Sequence, residues 1–526
     1  MNEDIYEYND YEDTIEEENP IPSGQEVEDI GKEEAEEIIE EGKYEGEEEV
    51  KLIDKENKIP ITVKNWTKGA TEYSRGNYVP STVCFYSILG DLVKYFAVVP
   101  FGKTGQDTRI HFLNIQTART GKSTLIDYVI NPVASILYKK LKDDPYVNSK
   151  LFESDSYTTA SLIGSFRKNE EYDKYKNDED LVNTEFEEDM ATLNAQRGDI
   201  SDYEYQKRRK RVLLIRKRKT MQDFCVMGPM HGEGLCVLDE FHESGVFTKK
   251  QHSDGIIGLF QNIMNNFHGG GNQYKKNLTD KVGKSLSLTE DEETLAIELD
   301  SKFTMLAFTY PPENLENKVE KAGLLQRFLC YILEVSENEI ETTRSKITLS
   351  AGNYDLYSKS KTNAENLHED ILGIFNLVKN QYENVGKDMT KVIPWHKDSA
   401  HALELERRNI IKLIDALPIE MRTVIRLFEM NLVEYIAKIA TLNTMIFTYE
   451  LNELISPIEI KIENIKISLK EEEPKKNEEE IKELEEEKKE LEEEINTLNK
   501  LGKRFELTAM HIRQAGNVVR PCYMAL

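Results

Sequence analysis

The sequence is short of cysteine and of what cysteine builds. Five residues, Cys84, Cys225, Cys236, Cys330 and Cys522, are scattered over 526 positions with no C-x-x-C pair. That spacing argues against a zinc module or a disulfide framework and suits a reducing compartment. Long apolar runs are also missing. The most apolar stretch, STVCFYSILGDLVKYFAVVPFG, carries Asp91 and Lys94 within a span too short to cross a bilayer, and no signal peptide opens the chain. The expectation is a soluble intracellular protein without a membrane partner, in a host cytoplasm or on its nucleoid, with a nuclear location left open.

Positive charge is scarce overall but not everywhere. The net charge is -29. Residues 1–50 hold 22 acidic and 2 basic side chains, and residues 471–495 hold 14 Glu and 5 Lys, so these two segments account for essentially all of the excess. The remainder is near neutral, and the acidity is no argument against nucleic-acid binding by it. Residues 1–60 are poor in large apolar groups and read as a disordered acidic tail, either solvating or docking a partner.

What is present is an α/β pattern. Residues 80–100 read as a buried helix broken at Pro100. IHFLNI (110–115) reads as a strand, and STLIDYVINPVASIL (123–137) as a helix. Strands return at GLCVLDEF (234–241) and KFTMLAFTYPP (302–312). Beyond residue 315 the composition predicts helices over 318–335, 362–386 and 402–450. Residues 457–500 read as a separate antiparallel helical hairpin. Ile458, Ile462, Ile465 and Leu469 share one face, and Pro474 and Asn477 mark a turn. Ile481, Leu484, Leu491, Ile495 and Leu498 then follow heptad spacing, with Lys488 at the remaining a position. The domain reading is a tail (1–60), a nucleotide-binding core (61–345) with a charged helical insertion (168–220), and a helical region (346–526).

Between the first strand and its helix stands QTARTGKSTL (116–125). It ends as a phosphate-binding loop, G-x-x-x-x-G-K-[ST], but places Gln116 where the first glycine belongs. A triphosphate needs a cation, backbone donors and a hydroxyl for Mg²⁺. Lys122, Gly121 and Ser123 supply these, flanked by Thr120 and Thr124, and the helix adds its positive end. GLCVLDEF is a buried strand ending in paired acids, with Asp239 suited to the metal through water and Glu240 to polarising the attacking water. Thr309 ends the third strand, where it can sense the terminal phosphate. Arg327 lies in the apolar GLLQRFLCYIL, either paired on a helix surface or offered to a neighbouring subunit.

These pieces, in this order, resemble the P-loop ATPase domain of helicase-like proteins in phages, plasmids and other mobile elements, broadly related to AAA+ and superfamily-three helicases. YTTASLIGSF (157–166), GLLQRFL, EYIAKIATLNTMI (434–446) and MHIRQAGNVV (510–519) resemble further family motifs. The resemblance covers roughly residues 80–167, 221–345 and 400–526, and departs at Gln116 and at the two insertions. It implies an ASCE-type core with a mostly parallel central sheet, flanking helices and a C-terminal helical lid. It implies ATP and Mg²⁺ as ligands, with catalytic Glu240, sensor Thr309 and Arg327 acting in trans in a ring, hexameric by analogy. Lys438 is expected to be an ordinary solvated helix lysine.

For the substrate, the run KRRKRVLLIRKRK (207–219) offers Arg208 and Arg209 to phosphates, with a solvated helix face as the plainer alternative. NNFHGGGNQYKKNLTDKVGKSLSL (265–288) offers Tyr274, Lys275 and Lys276, or is simply a glycine-rich loop. The expected activity is an ATP-driven helicase or translocase on single-stranded or forked DNA during replication of a mobile genome. An ATP-dependent protein remodeller or loader, or a weakly active ATPase scaffold, with the tail and hairpin binding a protein, are the alternatives.

Overall fold

The computed structural model describes residues 59–74, 77–101, 104–117, 120–153, 162–168, 178–198, 202–220, 223–241, 256–265, 273–277, 296–311, 323–333, 366–385, 393–471, 478–499 and 504–524, with isolated positions 175, 200, 345, 348, 352 and 353. Residues 1–58 of the acidic tail lie outside them.

Helices α1 (Ile61–Ser74) and α2 (Tyr78–Leu92) precede a small antiparallel pair, β1 (Val99–Phe101) and β2 (Thr104–Gln106). Strand β3 (Phe112–Gln116) leads into α3 (Lys122–Leu125), which runs through a π turn (Ile126–Ile130) into α4 (Asn131–Lys140). The π turn directly precedes Pro132, which has no N–H to continue the α-helical ladder. Next come β4 (Ser149–Glu153) and an antiparallel ribbon, β5 (Gly164–Lys168) with β6 (Asp223–Met227). The ribbon carries the charged insertion, two packed helices α5 (Glu179–Ala195) and α6 (Asp202–Thr220). β7 (Gly232–Leu238), α7 (Ile256–Ile263), β8 (Gln273–Asn277), β9 (Ala296–Thr309) and β10 (Leu329–Leu333) complete this half.

Five strands form an all-parallel sheet in the order β10-β3-β9-β7-β4, and β8 pairs antiparallel with the start of β9. Every residue of β3 is buried, as is nearly all of β7. That is the signature of strands covered on both faces, which is why they read as unbroken apolar runs. Among the described residues no helix is long and apolar enough to cross a membrane.

The C-terminal part is helical: α8 (Glu369–Val385), α9 (Ser399–Ala416), α10 (Ile419–Arg426), α11 (Glu429–Glu471), α12 (Glu478–Asn499) and α13 (Ala509–Met524). Its apolar residues, including Ile371, Phe375, Ile436, Ile439 and Val519, join the same buried cluster as Phe112, Leu235 and Phe308. α13 packs on β10 and α2, and α11 on α2 and α13.

Four expectations need correction. The helix over 80–100 ends at Leu92, and Pro100 sits in β1; the Lys94 ammonium takes the Asp91 carbonyl at 3.0 Å and closes the helix end. Residues 318–335 form no α-helix where described. A 3₁₀ turn (Leu325–Arg327) feeds β10, because backbone pairing with β3 outweighs the local composition. The span 402–450 is three helices, divided at Pro418, whose predecessor Leu417 is extended (ψ 160°), and again before Glu429. The hairpin is no separate object. Its first arm is the far end of the 43-residue α11, with Pro457 inside it. The seam is as expected: Ile458, Ile462 and Ile465 are buried, and Ile481, Leu484, Lys488, Leu491, Ile495 and Leu498 are half-buried between exposed Glu and Lys. Its turn, 472–477, is outside the described residues.

His511, in α13, is buried beside Phe447, and its Nδ1 accepts the Thr508 N–H at 3.0 Å. Burial pushes its pKa down from 6.5 to about 4. The unfolded chain therefore takes up this proton first as pH falls. The stability held by the neutral ring is complete above pH 6.5 and is lost as pH falls through about 4. The whole effect is roughly 3 kcal/mol. Urea unfolding between pH 7 and 4 should show this loss. His511→Asn keeps an acceptor without titrating and should lose less over the same range; equal losses would contradict the assignment.

Candidate functional site

The carboxyl ends of parallel strands share one edge, where loops can converge on a ligand. Three adjacent strands put polar residues there. Gln116 ends β3, Thr309 ends β9, and Asp239 and Glu240 follow β7. β9 lies between the other two, pairing Ile115 with Thr309 on one side and Leu238 with Ala307 on the other.

At the loop, Gly121 adopts φ +89°, a left-handed turn that a side chain would strain. The helix opens directly after it, with the Leu125 N–H donating to the Gly121 carbonyl at 3.0 Å. Gln116 does not form an entry turn. It is the last residue of a strand, fully buried and paired with Leu333. Its side chain is a prop: Nε2 donates to Thr120 Oγ1 (2.7 Å) while Oε1 accepts from Asn114 Nδ2 (2.8 Å). Thr120 Oγ1 in turn donates to the Thr117 carbonyl (2.7 Å), and Asn77 Nδ2 donates to the Thr120 carbonyl (2.9 Å). The missing glycine is thus replaced by an amide that holds the loop from beneath. Ala118 and Arg119 are outside the described residues.

Lys122 is 5 % exposed and reaches across the tip of β9. Its Nζ lies 2.9 Å from Asp239 Oδ1 and 4.0 Å from the centroid of the Tyr310 ring. It approaches Asp239 at ion-pair distance without the alignment of a hydrogen bond. Asp239 Oδ1 also accepts the Glu240 N–H at 2.8 Å. Glu240 is exposed and has φ +52°, a conformation that costs a non-glycine residue about 1–2 kcal/mol and that clusters at functional sites. Ser123 is exposed, Thr124 is half-buried, and Thr309 is buried with Oγ1 donating to the Tyr310 carbonyl at 3.2 Å. Asp127 stands nearby; burial first and the Asp239 carboxylate second raise its pKa.

The residues fit a polyphosphate with Mg²⁺. A buried ammonium, a helix start and a left-handed glycine occur together at residues 121–122. One hydroxyl (Ser123) and one carboxylate (Asp239) are the sparse protein share that Mg²⁺ takes when phosphate and water supply the rest. Lys122, Ser123, Thr309, Asp239 and Glu240 are therefore brought to one edge.

Arg327 is not at that edge. It precedes β10, at the opposite end of the sheet, because Leu329 pairs with Phe112 and Leu333 with Gln116. Its Nη1 donates to the Gly323 carbonyl at 2.7 Å, the Tyr435 hydroxyl donates to its carbonyl, and burial lowers its pKa. Lys438 is another correction: it is fully buried, 2.7 Å from Glu434 and donating to the Arg109 carbonyl at 3.3 Å. Arg109, itself fully buried, donates to the carbonyls of Ile263, Asn265 and Phe303, closing the end of α7 against β9.

Of the expected nucleic-acid contacts, Arg208 and Arg209 lie exposed on α6. Arg208 also bonds Gln196, while Arg216 and Lys219, further along α6, turn toward Asn183 and Glu185 of α5. Lys275 and Lys276 belong to β8, paired with Glu298 and Ile297, so this part of the expected loop is a ribbon. Most of 265–295, and residues 157–161 of the YTTASLIGSF motif, are outside the described residues. No protein-family model and no curated protein sequence matches the chain.

Sequence reasoning assigned no role to Tyr310, Asn77 or Asn114. Tyr310 follows Thr309 directly, so its place at the strand tip was available; the other two needed the fold.

Gln116→Leu should lower the melting temperature by leaving Asn114 Nδ2 without its acceptor, at a cost of about 1–3 kcal/mol. Gln116→Gly restores the full glycine-loop pattern yet should be no more stable than Gln116→Leu. A gain in thermal stability with glycine would contradict the propping role.

Proposed function

We propose that the chain is an ATP-hydrolysing ring motor acting as a helicase or translocase on DNA. The observation that carries this reading is the meeting of Lys122 and Asp239, from two strands separated by a third, at the carboxyl edge of the parallel sheet. Bound ATP with Mg²⁺ supplies the transferable phosphoryl group and a cation that offsets its charge. Lys122 binds and orients the outer phosphates, and the N–H groups of the turn at Gly121 surround them. Ser123 and Asp239 hold the cation. Glu240, turned outward by its left-handed backbone, accepts the proton of the attacking water at its carboxylate. Thr309 marks the spot where that water is placed.

Arg327 lies at the far end of its own sheet, so in this reading its partner is a neighbouring subunit's site in the ring. Exposed Arg208 and Arg209 support an anionic polymer as the track. The resemblance to mobile-element helicase domains supports the biological setting by analogy.

ATPase assays with and without single-stranded DNA test the reading. DNA should stimulate turnover, and Glu240→Gln should lose about 10²-fold or more. Turnover indifferent to DNA points to the remodeller, and none to the scaffold. Arg327→Ala mixed with wild type should reduce activity more steeply than its mole fraction; strictly additive loss would contradict a shared site.

A further inference from the structure

The side chains that would serve the nucleotide are engaged with each other. Lys122, proposed for phosphate, is at ion-pair distance from Asp239, proposed for the cation, and the Tyr310 ring lies against the same ammonium. The pair is unequal: the Lys122 side chain is 5 % exposed and that of Asp239 35 %. Lys122 therefore depends on its two neighbours, while Asp239 retains access to water.

We propose that Tyr310 is a positioning residue of this site and that, with Asp239, it parks Lys122 at the loop mouth, so that nucleotide and cation each release the group the other needs. The inference rests on the nucleotide reading above. A phosphate that replaces Asp239 as the partner of Lys122 leaves Asp239 open to a cation, and a cation on Asp239 leaves the ammonium available to phosphate. Linkage makes the two bindings mutually favourable by the same factor. The Tyr310 face supplies attraction without a competing negative charge, so it keeps the ammonium in place through the exchange. Its place in the chain suits this task. It follows the last residue of β9, the strand over which Lys122 reaches, and its carbonyl is held by the Thr309 hydroxyl.

The arrangement makes an unusual demand on the metal-binding acid. With Asp239 neutralised, the buried ammonium has lost its counter-charge and gains more from an incoming anion. Without metal, a protein lacking this carboxylate should bind nucleotide better than wild type.

Equilibrium titration of a fluorescent ATP analogue tests this on the full chain, in EDTA and in Mg²⁺, with folding checked by circular dichroism. In EDTA, Asp239→Asn should bind about tenfold tighter than wild type. In Mg²⁺ that order should narrow or reverse, because the cation ligand is gone. Tyr310→Phe should bind as wild type does, whereas Tyr310→Leu should weaken binding about threefold to tenfold in both conditions. Equal or weaker metal-free binding by folded Asp239→Asn overturns the exchange, and identical binding by the Phe and Leu variants overturns the role of Tyr310. Both outcomes leave the nucleotide reading standing if wild type binds in Mg²⁺. Absence of wild-type binding in both conditions overturns both.

Discussion

The approach of Lys122 to Asp239 is the contact on which the site depends. The two residues are far apart in sequence and arise after non-adjacent strands. They meet because β3, β9 and β7 run parallel in a fixed register, so that every strand delivers its following residues to one edge. If β7 ran antiparallel, Asp239 would lie at the other end of the sheet, and if strand order changed, it would be carried along the same edge away from Lys122. The strand between them is part of the site as well: its tip supplies the Thr309 hydroxyl and the aromatic ring against which the lysine rests.

That edge is held from behind by polar groups that the core would not accept unpaired. Asp91 receives the Lys94 ammonium and the hydroxyls of Tyr138, Ser149 and Thr304, tying α2 to α4, β4 and β9. Arg109 and Lys438 tie the start of β3 to α7, β9 and α11. At the loop the balance differs. Asn114 Oδ1, Thr117 Oγ1 and Lys122 Nζ are buried without a hydrogen-bond partner. Other such atoms occur elsewhere, at Ser301, Trp395 and His511 among them, but this loop combines them with a buried ammonium, where a polar ligand has most to offer.

The strands of this site were legible because burial on both faces makes them continuous apolar runs, each ending in a polar residue. The GKS turn and the hairpin seam were legible for the same kind of reason: spacing alone specifies them. β10 was not, since LCYIL is too short for its period to separate strand from helix, and pairing with β3 decides it. The burial of Lys438 and the propping by Gln116 were equally hidden, because each depends on a partner from a distant element. A glycine pattern records what a loop's backbone permits; it does not record a side chain that does the same work from the strand below.

The most direct test of the central claim is calorimetric titration of ATP with Mg²⁺ into the purified chain and into Lys122→Ala. The account predicts saturable binding near one nucleotide per chain for the wild type and its loss in a folded variant. Equal heats and affinities for the two proteins would contradict it.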